Sequence, residues 1–66
     1  MSPSVARALA ALRSRAMTVS ELSEAIGISV STARHAAEAL RDEGLIRVIG
    51  TVRPRRMGRP HKRLAA

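Results

Sequence analysis

Apolar positions recur at helical spacing in three successive segments and then give way to a β-branched run. In the first segment Val5, Ala8, Leu9 and Leu12 repeat at intervals of three and four through an alanine-rich stretch, and Ser2-Pro3 supplies an N-cap followed by proline at the first helical position. This predicts a helix over about 3–13 that covers a core with its apolar stripe. Its outward alanines serve either plain helix propensity or a partner helix. Arg13 and Arg15 suit the negative end of the helix dipole or simply face solvent, and Met17-Thr18 reads equally as an extended pair or a connector.

The second and third segments span about 18–43. Thr18 and Glu21 have capping-box spacing, so a helix starts at Val19 and buries Val19, Leu22 and Ile26 on one face. Gly27 offers the left-handed conformation that ends it, Ile28 fills the turn, and Ser29 caps the next helix after a connection short enough to set the two at a steep angle. That next helix, about Val30 to Glu43, places Ala33, Ala36, Ala37 and Leu40 on one narrow arc with Val30 at its edge. Its other side carries Ser31, His35, Glu38 and Asp42, flanked by Arg34 and Thr32 and with Ala39 between. Short hydrogen-bonding groups near the N-terminal half suit a helix lying against base edges in a major groove, or an ordinary solvated face.

Gly44 stops the third helix, and Leu45-Ile46-Arg47-Val48-Ile49 predicts a strand that begins at Leu45 and runs through Thr51 and Val52 to Arg53. Gly50 within it signals a bulge or a close backbone approach. Pro54 to Gly58 is turn-like, and Pro60 to Leu64 returns as a second strand whose edge position tolerates proline. The outcome is a basic β-hairpin over about 45–65.

Length and composition narrow this picture. A chain of 66 residues suits one domain, 1–66, and buries only ~60% of the surface its unfolded form exposes, so the core is thin. There is no cysteine for disulfides or thiolate metal sites, and no apolar run of membrane-spanning length or signal-peptide pattern, so the expected location is the cytoplasm. Charge changes the picture most. All five acids lie before residue 44, where five arginines balance them, so the net charge of +7 belongs to the last twenty residues. Such an asymmetry is a footprint for a polyanion, and the basic stretch lacks the amphipathic apolar face that a membrane surface would need. The absence of Phe, Tyr and Trp removes the usual stacking platform for single strands, which favours double-stranded DNA.

The order of helix, helix-turn-helix, the exit Leu40-Arg41-Asp42-Glu43-Gly44-Leu45-Ile46 and a basic hairpin resembles the winged helix-turn-helix DNA-binding proteins. It is similar to the DNA-binding cores of MarR-like and ArsR-like bacterial regulators and to small phage or mobile-element regulators, from about Val5 to Ala65. The most specific part is Ser29-x-Ser31-Thr32-Ala33-Arg34-His35 followed by Gly-Leu-Ile. The resemblance implies an α+β fold of three helices followed by a two-stranded wing. It also implies that the helix from Val30 enters the major groove, with Ser31, Thr32, Arg34 and His35 at positions that touch bases or phosphates. Ser23 and Ala33 stand where that pattern often has alanine and a larger aliphatic, a leaner core.

The hairpin would be the wing, contacting DNA through Arg53, Arg55, Arg56, Arg59 and Lys62. Gly58-Arg59-Pro60 resembles the core of an AT-hook, although Met57 stands where the hook has a basic residue. A narrow A·T-rich minor groove concentrates negative potential, and Arg59 between glycine and proline is placed to enter it, whereas Arg55, Arg56 and Lys62 suit phosphates. Arg34 suits a bidentate contact to guanine, and Glu38 is read as solvated or paired with Arg34 or Arg41.

No catalytic residues, metal site or cofactor are expected. His35 and His61 lie on different elements, His35 with Glu38 lacks a third ligand, and there is no glycine-rich phosphate loop or nucleophile-base set. The expected function is a sequence-specific transcriptional regulator, a repressor, without a small-molecule effector and with a homodimer possible through the first helix. The alternatives are an architectural factor of the excisionase or replication-accessory kind, and a winged helix that binds an acidic protein partner.

Overall fold

The computed structural model describes residues 2–52 and 61–66. Helices α1 (Pro3–Ser14), α2 (Val19–Ile26) and α3 (Val30–Asp42) are followed by β1 (Arg47–Val52) and β2 (His61–Ala65), which pair antiparallel. Each helix starts on the residue its sequence signalled. Ser2 Oγ accepts from the Val5 N–H at 3.3 Å and Ser29 Oγ from the Thr32 N–H at 3.1 Å. The capping box closes in both directions, with the Glu21 N–H donating to Thr18 Oγ1 at 3.2 Å and the Thr18 N–H to Glu21 Oε1 at 2.9 Å.

The helix ends follow from two glycines. Gly27 takes φ 68° between α2 and α3, and Gly44 takes φ 72° after α3. Around Gly44 the Leu45 N–H donates to the Leu40 carbonyl at 2.9 Å and the Gly44 N–H to the Arg41 carbonyl at 2.9 Å, the two bonds of a Schellman motif. This corrects the start of the first strand. Leu45 spends its N–H on closing the helix, so β1 begins at Arg47 and not at Leu45. Between them Ile46 turns inward and is 6% exposed, while Leu45 stays at the surface.

The core is built from one stripe per helix. Ala8 and Leu12 of α1, Leu22 and Ile26 of α2, and Ala33, Ala36, Ala37 and Leu40 of α3 are buried, and Met17, Ile46 and Leu64 close the cluster. Alanines over most of the inner face let α3 approach both α1 and α2 closely, since side-chain size sets the distance between packed helices. Ser23, buried within α2, donates its hydroxyl to the Ser20 carbonyl at 2.7 Å, so the polar group in this lean core is satisfied.

The sheet is hung on the helices by β2. Met17 and Leu64 exchange backbone hydrogen bonds at 3.0 and 2.9 Å, which settles Met17-Thr18 as an extended pair that adds a bridge beside β2. Leu64 is 3% exposed, whereas every residue of β1 is exposed. Val48 pairs with Leu64 and Gly50 with Arg63, leaving Ile49 as the extra residue of a bulge. A Cβ on Gly50 would meet nothing within 4 Å, so of the two readings of this glycine the bulge is the one observed. No helix among the described residues is long and apolar enough to cross a membrane.

Candidate DNA interface

The outer side of α3 is mostly polar, with Ala39 and Val30 exposed among its polar residues, because Ala33, Ala36, Ala37 and Leu40 take the inner arc. Ser31, Thr32, Arg34 and His35 are all exposed there, within the first two turns of the helix. Ser29 fixes that end twice. Besides accepting from the Thr32 N–H, its hydroxyl donates to Thr32 Oγ1 at 2.9 Å. The side-chain bond was not foreseen, although the i,i+3 spacing of two hydroxyl residues at a helix start signals it.

Glu38 is largely solvated, the first of the two expected readings, and its neighbour is not one of the expected arginines. Its carboxylate stands 4.0 Å from His35 Nδ1, one turn back on the same face, and not against Arg34 or Arg41. His35 lies three residues before Glu38, Arg41 three after and Arg34 four before, so all three are within helical reach, and His35 is the one found beside the carboxylate. Both side chains remain largely exposed.

Two contacts join α1 and the residue after it to α2, and neither was read from the sequence. The Arg7 guanidinium of α1 donates to the Ile26 carbonyl at 2.7 Å, occupying an acceptor that the end of α2 leaves open beside the turn into α3. Arg15, expected to serve the dipole or solvent, lies 3.6 Å from Glu21 Oε2. The Glu21 carboxyl is held below the usual carboxylate range, first by the backbone N–H of Thr18, further by the Thr18 hydroxyl and by Arg15 and Arg63, with partial burial opposing. Nothing local in the sequence links Arg7 to residue 26, because the pairing depends on how α1 crosses α2.

On the wing, Lys62 is exposed on β2 opposite Thr51. Arg53, Arg55, Arg56 and Arg59, with the hook-like Gly58-Arg59-Pro60, lie outside the described residues. Among the described residues no group of three or more His, Asp or Glu side chains is placed to hold a metal ion.

Three helices, the second pair joined by a tight glycine turn, and an antiparallel hairpin docked through β2 define a winged helix-turn-helix DNA-binding protein. Residues 2–48, more than two-thirds of the chain, match the family model of the bacterial regulatory proteins of the arsR family, and the chain belongs to that family. It is a DNA-binding transcriptional regulator of double-stranded DNA, from a family of regulators and not of enzymes. The match ends two residues into β1, so the rest of the wing is identified by its place in the fold. No curated protein and no solved structure gives a match.

Proposed function

We propose that the 66 residues act as one winged helix domain that represses transcription by occupying a specific duplex site. In this reading α3 lies in the major groove, Arg34 is bidentate to a guanine, and Ser31, Thr32 and His35 make single hydrogen bonds to bases or backbone. Arg53, Arg55, Arg56 and Lys62 of the wing neutralise phosphates, and Arg59 enters an adjacent minor groove. The observation that carries the proposal is the division of α3, with Ala33, Ala36, Ala37 and Leu40 buried and the four reading residues exposed together. Control then comes through the protein's own concentration or a partner protein, not a small effector.

The test is fluorescence anisotropy with random duplex DNA, single-stranded DNA and duplex RNA from low to moderate salt, followed by site selection from a random duplex library. The expected result is a preference for duplex DNA, a slope of about −0.9 in log affinity against log salt per neutralised phosphate, and one enriched sequence. Weak binding to all three nucleic acids overturns the reading in favour of a protein partner for the basic wing. Duplex binding with no enriched sequence, together with bending of the DNA, favours the architectural role.

A further inference from the structure

We propose that the junction of α3 and β1, residues 42–49, is a self-complementary surface through which a second copy of this chain docks about a two-fold axis. Asp42, Glu43, Leu45, Arg47, Val48 and Ile49 are all exposed there, and the proposed DNA contacts use none of them. Leu45, Val48 and Ile49, at 38%, 37% and 48% exposure, are three of the five large apolar side chains exposed among the described residues. Exposed apolar side chains gathered in one place and rimmed by charge mark a surface for association. Leu45 also lines a groove of about 540 Å³ between the start of α1 and the end of α3, with Ser2, Val5, Ala39, Asp42 and Glu43 as its other walls.

The carboxylates say what the groove takes. A helix C-terminus carries partial negative charge, so acids there cost stability while cations are favoured. Asp42 is nevertheless the last residue of α3 and Glu43 its C-cap, and among the described residues neither is in an ion pair. Two carboxylates at the negative end of a helix dipole, beside apolar walls, suit a basic and aliphatic occupant. The same chain presents one in Arg47, Val48 and Ile49, and among the described residues Arg47 has no acid paired to it either. A surface that carries both halves of a complement meets the requirement of a two-fold interface, in which each copy gives what it receives. Along the chain Glu43 and Arg47 stand on either side of Leu45 at equal separation, so an antiparallel meeting centred on Leu45 sets Glu43 of each copy against Arg47 of the other. The patch is small, which makes the dimer weak and sensitive to salt.

The experiment is sedimentation equilibrium of the full chain without DNA over a range of concentrations, at low and moderate salt. Three variants accompany it: E43K, R47E, and E24K, which makes the same change in net charge as E43K on an exposed residue of α2 outside the patch. A lysine at position 43 suits the end of the helix dipole, so E43K is expected to melt no lower than the parent chain. The parent chain is expected to pass from monomer to dimer with rising concentration, more readily at low salt. E43K and R47E should each weaken the dimer about tenfold by setting like charges against each other, whereas E24K should leave it nearly unchanged. An equal mixture of E43K and R47E should recover the parent's association, because in the mixed dimer lysine meets glutamate and Glu43 meets Arg47. A chain that stays monomeric at every concentration overturns the proposal. So does an E43K that associates like E24K, since any dimer then uses another face, and so does a mixture that fails to recover. None of these readings involves DNA, so their outcome is separate from that of the proposed docking of α3.

Discussion

At the scale of single residues, α3 is divided by which way a side chain points, with Ala33, Ala36, Ala37 and Leu40 buried and the proposed reading residues Ser31, Thr32, Arg34 and His35 exposed. Arg34 and the wing arginines are expected to fail differently when removed. Arg34→Ala should lower discrimination between the selected site and random duplex by about 1–3 kcal/mol, the worth of a bidentate base contact. Arg55→Ala should weaken binding alike on all sequences and make the log-salt slope shallower by about 0.9. Paired titrations on the two duplexes check both, and equal losses for both variants would remove the division between reading and anchoring. Thr18 is a purely structural counterpart. Thr18→Ala opens one half of the capping box and should cost about 1 kcal/mol, seen as a melting temperature lower by about 4–8 °C.

Glu21, the other half of that box, ties stability to pH. Its folded carboxyl titrates below its ordinary value, so the stabilisation is present in full above the ordinary carboxylate range and is lost as pH falls through the lowered value. Glu21→Gln, which keeps an acceptor but has no charge, should flatten this part of the acid limb in melting curves taken from neutral pH downward. An unchanged acid limb would mean that Thr18, Arg15 and Arg63 do not hold the ionised form.

At the scale of elements, local chemistry set nearly every boundary. Ser2, Thr18 and Ser29 start the helices where their hydroxyls meet first-turn N–H groups, and Gly27 and Gly44 stop two of them in left-handed conformations. These signals act within a few residues, which is why they are legible without a structure. Gly44→Ala tests the second stop. A Cβ there meets nothing within 4 Å, so the whole cost, about 1–2 kcal/mol by chemical denaturation, comes from forcing an L side chain to positive φ. The strand start was misread for a related reason. Leu45 is β-compatible by type, but its amide belongs to the helix cap, and side-chain type does not reveal where a backbone N–H is used.

At the scale of the whole molecule, the lean core makes each large side chain count. Leu22 and Leu40 are the largest fully buried residues, and Leu40 sits where α3 meets its neighbours beside a floor of alanines. Leu40→Ala should cost about 2–5 kcal/mol, comparable with the total stability expected of so small a domain, and leave the chain largely unfolded in circular dichroism at 37 °C. A folded variant with a cooperative melt would show that the helices can collapse onto the cavity. The wing joins this core through Leu64 and the Met17 bridge, while β1 lies outside with its residues exposed.

The sequence alone determined the three helices, their caps, the buried arc of α3 and the concentration of positive charge after residue 46, because each depends on residues a turn or a few positions apart. It also pointed to the family through the order of those elements. Only the tertiary structure decided that Met17 pairs with Leu64, that Arg7 closes the end of α2 and that Arg15 meets Glu21. These contacts join residues distant along the chain, and they exist only once the apolar stripes have packed and fixed the angles between helices.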